Sequence, residues 1–305
     1  MNKRKLFQWA VLGYMMLTGM TACSSDDDTT DIPDDGVKVR RITITQTDDA
    51  AARQMLTRST LVESDGLTAS WTAGDGLTYC NLSRTNPMNY EIYTGPLTAA
   101  STASTSQFTG NVTCNAGDYL AVVYPAATFV TNESYTISLS GQDGTLGTLA
   151  TNYHYVYGKA YVTSVTDNTA NATMEKMKSL LTVCKFSFVD KTTGNAIAIR
   201  SLTIGYGGSG SDADTYPQEA TVAVSPSTPM ADIHATGATG GSKVLTVSLT
   251  AAQGAVYVAL LPTNGQRTFR FTVTDDSGNT YSGTAKATLT EGDYVVATGL
   301  KLTKN

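Results

Sequence analysis

Short runs of strand-forming residues, broken at close and regular spacing by turn residues, set the tightest limit on what this chain can fold into. Asn86-Pro87, Gly95-Pro96, Thr109-Gly110, residues 115–118 and Tyr124-Pro125 punctuate the first half, with runs such as 112–114 and 119–124 between them. Glycine and asparagine supply the backbone conformations that tight turns need and proline withholds a donor, so little room is left for helices. Threonine, serine, valine and tyrosine dominate between the breaks, and these types suit a half-buried pleated surface. The pattern predicts an all-β protein built as a sandwich.

Residues 37–45 read as the first strand, with Val37 and Val39 on one face and Ile42 and Ile44 in phase after a shift at Arg40-Arg41. Such a shift predicts a bulge or a strand end. Further strands are expected at 60–62, 67–71, 77–82, 90–93, 107–108, 112–114, 119–124 and 135–139, followed by an aromatic run of Tyr153, Tyr155, Tyr157 and Tyr161. The polar stretch TDNTANAT at 166–173 predicts a boundary between an N-terminal domain, 37–170, and a C-terminal domain, 171–305. Beyond it a helical turn at 174 should pass into a strand at 180–189. Strands follow at 196–206, 220–224, 244–249, 255–261, 268–274 and 281–289. In the last, 294–302, strict alternation puts Val296, Thr298, Leu300 and Leu302 on one face.

The first residues carry an address rather than a fold. Lys3, Arg4 and Lys5 precede an apolar run at 6–16, too short to span a membrane as a stable helix, and small residues Thr21 and Ala22 lead into Cys23. This is the layout of a secretory signal peptide over 1–22 and resembles a bacterial lipobox, with Met20 where Leu is more usual. The resemblance implies acylation of Cys23, and several buried acyl chains make such an anchor effectively permanent. Ser24, Ser25, Asp26, Asp27 and Asp28 then open an acidic tether over 23–36, which read by itself is a solvated linker. Removing 1–22 takes the net charge from −5 to −8, which leaves no electrostatic footprint for nucleic acid. Cys80, Cys114 and Cys184 are too sparse for a disulfide scaffold, and small buried hydrophobes are the expected role, with a single bridge as the alternative.

Taken in order, the acidic tag behind Cys23, an N-terminal strand, the Thr-Arg-Ser segment around Arg58, SWTAGDGL, FTGNV, AGDYLAVVYPA, LLTVCKFSFV, VYVALLP and the closing EGDYVVATGLKL resemble the fimbrillin-like proteins of Bacteroidetes, which include subunits of type V pili. The resemblance spans the whole chain after 22 and rests on motif order. It implies two transthyretin-like β-sandwich domains and export as a lipoprotein to the outer membrane and cell surface. It also implies an arginine-specific protease cutting after Arg58 or Arg53, and removal of strand 37–45. A C-terminal strand of the next subunit then fills the groove, here with Val296, Leu300 and Leu302. Strand addition of this kind draws affinity from main-chain bonds and register from alternate side chains. The implied partners are other pilin subunits, the protease, membrane lipid through Cys23, and a host or bacterial surface ligand. On the residues alone, Arg53 and Arg58 are equally ordinary loop arginines, and 294–302 equally completes its own sheet.

Nothing in the pattern points to an enzyme, a metal or a cofactor. His154, expected in an aromatic strand, and His234, expected in a loop, are too isolated for a metal site or a triad. The Gly-rich stretch 207–210 reads as a turn, and Asp212 and Asp214 lack the glycine and glutamate that would complete a calcium loop. The competing function is a surface-anchored lipoprotein that binds glycans or host ligands without polymerising, with Tyr153, Tyr155 and Tyr157 as a stacking face.

Overall fold

The computed structural model describes residues 37–46, 60–63, 67–86, 91–175, 177–209, 213–227, 232–236 and 244–305. Cys23, Arg53 and Arg58 lie outside them. The first half holds β1 (Lys38–Gln46), the hairpin β2 (Thr60–Glu63) and β3 (Leu67–Ser70), then β4 (Gly76–Thr85), β5 (Ile92–Ala99), β6 (Gln107–Cys114), β7 (Tyr119–Tyr124), β8 (Phe129–Thr131) and β9 (Ser134–Ser138). A short helix α1 (Leu146–Thr148) runs into a π-helical turn (Leu149–Tyr153), and β10 (Val156–Val165), β11 (Thr169–Met174) and β12 (Lys178–Ser179) follow. The second half comprises β13 (Thr182–Asp190), β14 (Ile199–Tyr206), β15 (Glu219–Ala223), β16 (Asp232–Thr236), β17 (Leu245–Gln253), β18 (Val256–Leu260), β19 (Arg267–Asp275), β20 (Thr280–Ala287) and β21 (Tyr294–Lys304). The chain is nearly all-β, as the turn spacing predicts, and has two β-sheet domains.

In the N-terminal domain the strands run β11-β1-β6-β5-β4-β7-β10, and β10 pairs back onto β11, so the sheet closes on itself. Closure removes the unpaired edges that an open sheet exposes. Every neighbouring pair in the ring is antiparallel except β1 with β11. Ile42, Ile44, Leu97, Phe108, Val122, Val162 and Ala172 belong to the one cluster that fills it. Trp71 sits in that cluster, with edge-on contacts to Phe108 at 5.0 Å and Tyr124 at 5.4 Å between ring centroids.

The C-terminal domain has a seven-stranded sheet ordered β17-β14-β19-β20-β21-β13-β18. A second sheet, β16-β15-β9-β8, takes two strands from each half of the chain, with Tyr135 opposite Val222 and Ile137 opposite Ala220. A continuous core links Ala121 and Val123 of β7 through Tyr135 and Val222 to Phe186, Phe271 and Leu302. The loop residue Gln142 fastens the halves further. Its Nε2 donates to Leu139 O at 3.1 Å and Ala259 O at 3.0 Å, and its Oε1 accepts from Ala259 N at 2.8 Å, so a side chain supplies both bonds that a neighbouring strand would.

Several local expectations give way. The stretch 166–173 is mostly strand: Ala170, Ala172 and Met174 face the barrel core while Thr169, Asn171 and Thr173 face out, so the first domain's sheet extends through β12. No helical turn starts at 174, because Met174 is the end of β11. Gly95-Pro96 and Thr109-Gly110 are inside strands rather than in turns. Proline is tolerated there because β5 pairs with β6 only from Leu97 to Ala99, so Pro96 owes no donor on that side. His234 is in β16, not in a loop.

Candidate functional site

The first strand has no register break. β1 pairs without interruption with β6, from Lys38 opposite Cys114 to Thr45 opposite Gln107, and runs parallel to β11 from Arg41 opposite Thr169 to Gln46 opposite Met174. Arg40, Ile42 and Ile44 therefore point inward in strict alternation, and Val39 is 65% exposed. An arginine can take the inward position because carbonyls wait for it. Its Nε donates to Thr166 O at 2.7 Å, and its Nη1 donates to Cys114 O, to Lys38 O at 3.2 Å and to Asn115 Oδ1 at 3.2 Å. A guanidinium with several fixed acceptors satisfies the donors that burial would otherwise strand. This arrangement also shields Arg40 from proteolysis in the folded chain.

At the other end of the chain β21 is held unevenly. It runs parallel to β13 over seven rows, from Val183 opposite Tyr294 to Asp190 opposite Leu302. It meets β20 in only two, Tyr281 with Lys304 and Ser282 with Thr303. Past those rows the two strands part around a largely apolar cavity of about 190 Å³, with Ala285 and Ala287 on one side, Val295, Ala297 and Leu300 on the other, and Phe271 also lining it. The alternation expected for Val296, Leu300 and Leu302 is broken by a bulge at Gly299, whose φ of +67° lies in the left-handed region that glycine adopts without strain. Val296 is consequently 53% exposed, Leu300 is half-buried and Leu302 is buried. Val295 and Ala297 face inward in its place.

Glu63, at the end of β2, reaches across the C-terminal sheet. It accepts from Lys185 Nζ at 2.9 and 2.7 Å, from Tyr257 Oη at 2.5 Å and from Tyr294 Oη at 2.6 Å. Those partners stand on β13, β18 and β21, which are consecutive in the sheet. The bonds from Lys185 first, then those from Tyr257 and Tyr294, lower the Glu63 carboxyl from its ordinary 4.5 to about 2. The same carboxylate raises Lys185. A carboxyl lowered by folding stabilises the fold above its unfolded value and ceases to do so as pH falls through its folded one. The stability difference between the wild-type chain and Glu63→Gln should thus be constant at neutral pH and vanish on acidification from 4.5 towards 2, measured as denaturation midpoints across that range. Glu63 does not stand out in the sequence as a site residue.

The aromatic run does not form a stacking face. Tyr153 ends the π-helical turn and donates to Ser140 O at 2.7 Å, while Tyr155 Oη donates to Ser138 O at 3.1 Å and accepts from Ser138 N at 3.3 Å. Only Tyr157 and Tyr161 are in β10, and Tyr157 is buried. Cys80, Cys114 and Cys184 are all buried free thiols, and burial pushes them up to about 12, 11 and 12, respectively, so they pack as hydrophobes and are poor nucleophiles. Among the described residues no three of His, Cys, Asp and Glu cluster as metal ligands, and Asp214 pairs with Arg270 at 2.9 Å. No described helix is long and apolar enough to cross a membrane.

No protein-family profile matches the sequence, and no curated protein matches it. Solved structures do. A "putative cell adhesion protein" from Bacteroides uniformis ATCC 8492 aligns over 90% of this chain and 98% of its own at 16% identity, with a TM-score of 0.51. A protein described in the same words from Bacteroides eggerthii DSM 20697 aligns over 87% of each chain at 13% identity, with a TM-score of 0.41. A streptococcal ancillary pilin aligns over 88% of this chain and 69% of its own at 12% identity, with a TM-score of 0.33. The first of these shares the fold over nearly the full length of both chains.

Proposed function

We propose that the chain is a structural subunit of a cell-surface pilus, exported as a lipoprotein through Cys23, cut after Arg58 or Arg53, and polymerised by strand exchange in support of adhesion. The observation that carries the reading is the matched setting of the first and last strands. β1 lies between a parallel partner, β11, and an antiparallel one, β6; β21 lies between a parallel partner, β13, and an antiparallel one, β20. A strand leaving the second setting therefore enters the first with the same sense towards both neighbours, and its main-chain bonds can re-form. The fold shared with a protein described as a cell adhesion protein agrees with this role.

The cut and the exchange are physically linked. Cleavage after Arg58 separates β1 from β2, yet β1 still holds eight antiparallel rows and six parallel rows, so it leaves only when another strand takes its place. Its departure exposes the edges of β6 and β11 and the slot of Ile42 and Ile44, which is why refilling is strongly favoured and the joint long-lived. Because Cys23 precedes the cut, the same step frees the subunit from its lipid anchor. In this reading Val296, Leu300 and Leu302 of the incoming strand occupy the vacated slot. Treatment with a trypsin-like protease is expected to give one new N-terminus, at Ser59 or Gln54, and a ladder of species that survives mild heating in detergent. A cut product that stays monomeric overturns the proposal.

A further inference from the structure

The Glu63 cluster joins the two ends that strand exchange has to move. Glu63 is five residues past Arg58, and Tyr294, one of its donors, is the first residue of β21. Three neighbouring strands, β21, β13 and β18, each send one side chain to this carboxylate, so β2 lies across them as a clasp. Without that clasp β21 depends on its parallel ladder with β13 and on two rows with β20, and its flank beside the cavity has no ladder partner among the described residues. Tyr294 is where peeling from that flank has to begin or end. The cluster is thus a fastening at the root of a strand held unevenly on its two edges.

What keeps Glu63 in place is itself conditional on the intact chain. Among the described residues the ladder of β2 is with β3, in four rows from Thr60 opposite Ser70 to Glu63 opposite Leu67. Two-stranded hairpins are marginal by themselves, and this one is anchored in the core by Leu61, Leu67 and Ala69. In the uncut chain β2 is also tethered upstream to β1, which the barrel holds on both edges. After a cut at Arg58 only Ser59 precedes β2, and a short terminal strand frays.

We propose that Glu63 is a latch that keeps β21 seated in its own sheet until the N-terminal segment is cut, so that processing at one end of the chain releases the donor strand at the other. The inference rests on the strand-exchange reading, and it adds a cause for the order of events. Coupling of this kind is reciprocal: whatever loosens β21 also loosens β2.

Amide hydrogen exchange on the full chain tests it. In uncut protein, Glu63→Gln is expected to speed exchange across β21 by about tenfold or more, as loss of a charge-assisted fastening implies, while β14 and β19 are unchanged. Tyr294→Phe, which removes one hydroxyl and keeps the ring, is expected to do the same to a smaller degree. Cutting the wild type after Arg58 should speed β21 similarly, and cutting Glu63→Gln should add little. The latch is refuted if β21 exchanges alike in wild type and both variants, or if cutting speeds it equally with and without Glu63. A cut wild type whose β21 loosens as described but never polymerises would sink strand exchange and leave the latch standing. Polymers that form from a chain whose β21 ignores Glu63 would do the reverse.

Discussion

Ile44→Asp is expected to leave the N-terminal barrel unfolded. Ile44 is fully buried in β1, opposite Phe108 on one side and Ala172 on the other, within the hydrophobic cluster of the barrel. An unpaired buried carboxylate costs several kcal/mol, and the lost apolar packing adds to it. Against a total stability of about 5–15 kcal/mol that is enough to empty the folded state or bring it to the edge. Ile44→Ala, at about 2–5 kcal/mol, should fold with a lowered midpoint, and Ile44→Val should fall only about 0.5–1.5 kcal/mol. Denaturant midpoints read by the fluorescence of Trp71, which sits in the same cluster, report the series directly. Equal midpoints for all three would mean that β1 is not part of the core.

Gly110→Val is expected to cost about 3 kcal/mol or more, beyond the usual range for overpacking, because the obstacle is main chain. A Cβ at Gly110 would stand 2.6 Å from Pro96 O and 2.9 Å from Leu97 Cδ2. A side-chain end could swing away, but the Pro96 carbonyl is part of β5 and moves only with the sheet. Thermal unfolding of Gly110→Ala and Gly110→Val against wild type measures the effect, and a valine variant as stable as wild type would show that β5 and β6 do not approach as described.

Gly110 also shows how a sequence can be misread while the fold class is read correctly. Thr109-Gly110 carries the composition of a turn, yet the glycine is required by a close approach between two paired strands, a three-dimensional fact with the same one-dimensional signature. Gly95-Pro96 misleads in the same way. β11 is missed for the opposite reason: its inward residues are Ala170, Ala172 and Met174, so a half-buried strand looks like a polar linker. The strong alternations, in β9, β13 and β19, are legible because large apolar residues mark every second position.

The site was readable in outline and not in phase. Burial of Arg40 depends on Thr166, Cys114 and Asn115, residues at least 74 positions away, and no local pattern announces such acceptors. A strict period of two cannot foresee the bulge at Gly299 that turns Val296 out and Ala297 in, although a glycine within a strand is the available warning. Glu63 carries no motif; its meaning comes wholly from the three strands that converge on it.

On the strand-exchange reading β21 of one subunit replaces β1 of the next, and a crosslink reads that substitution. A photoreactive benzophenone side chain at Lys301, which is exposed and lies between Leu300 and Leu302 so that it points away from the slot they fill, is accommodated in both settings. Assembling cut subunits from a mixture of isotopically light and heavy protein allows bonds between subunits to be told from bonds within one. Strand exchange predicts crosslinked peptides that join residue 301 of one subunit to β6 or β11 of another. Crosslinks confined to β13 or β20 of the same subunit, in material that has polymerised, would contradict it.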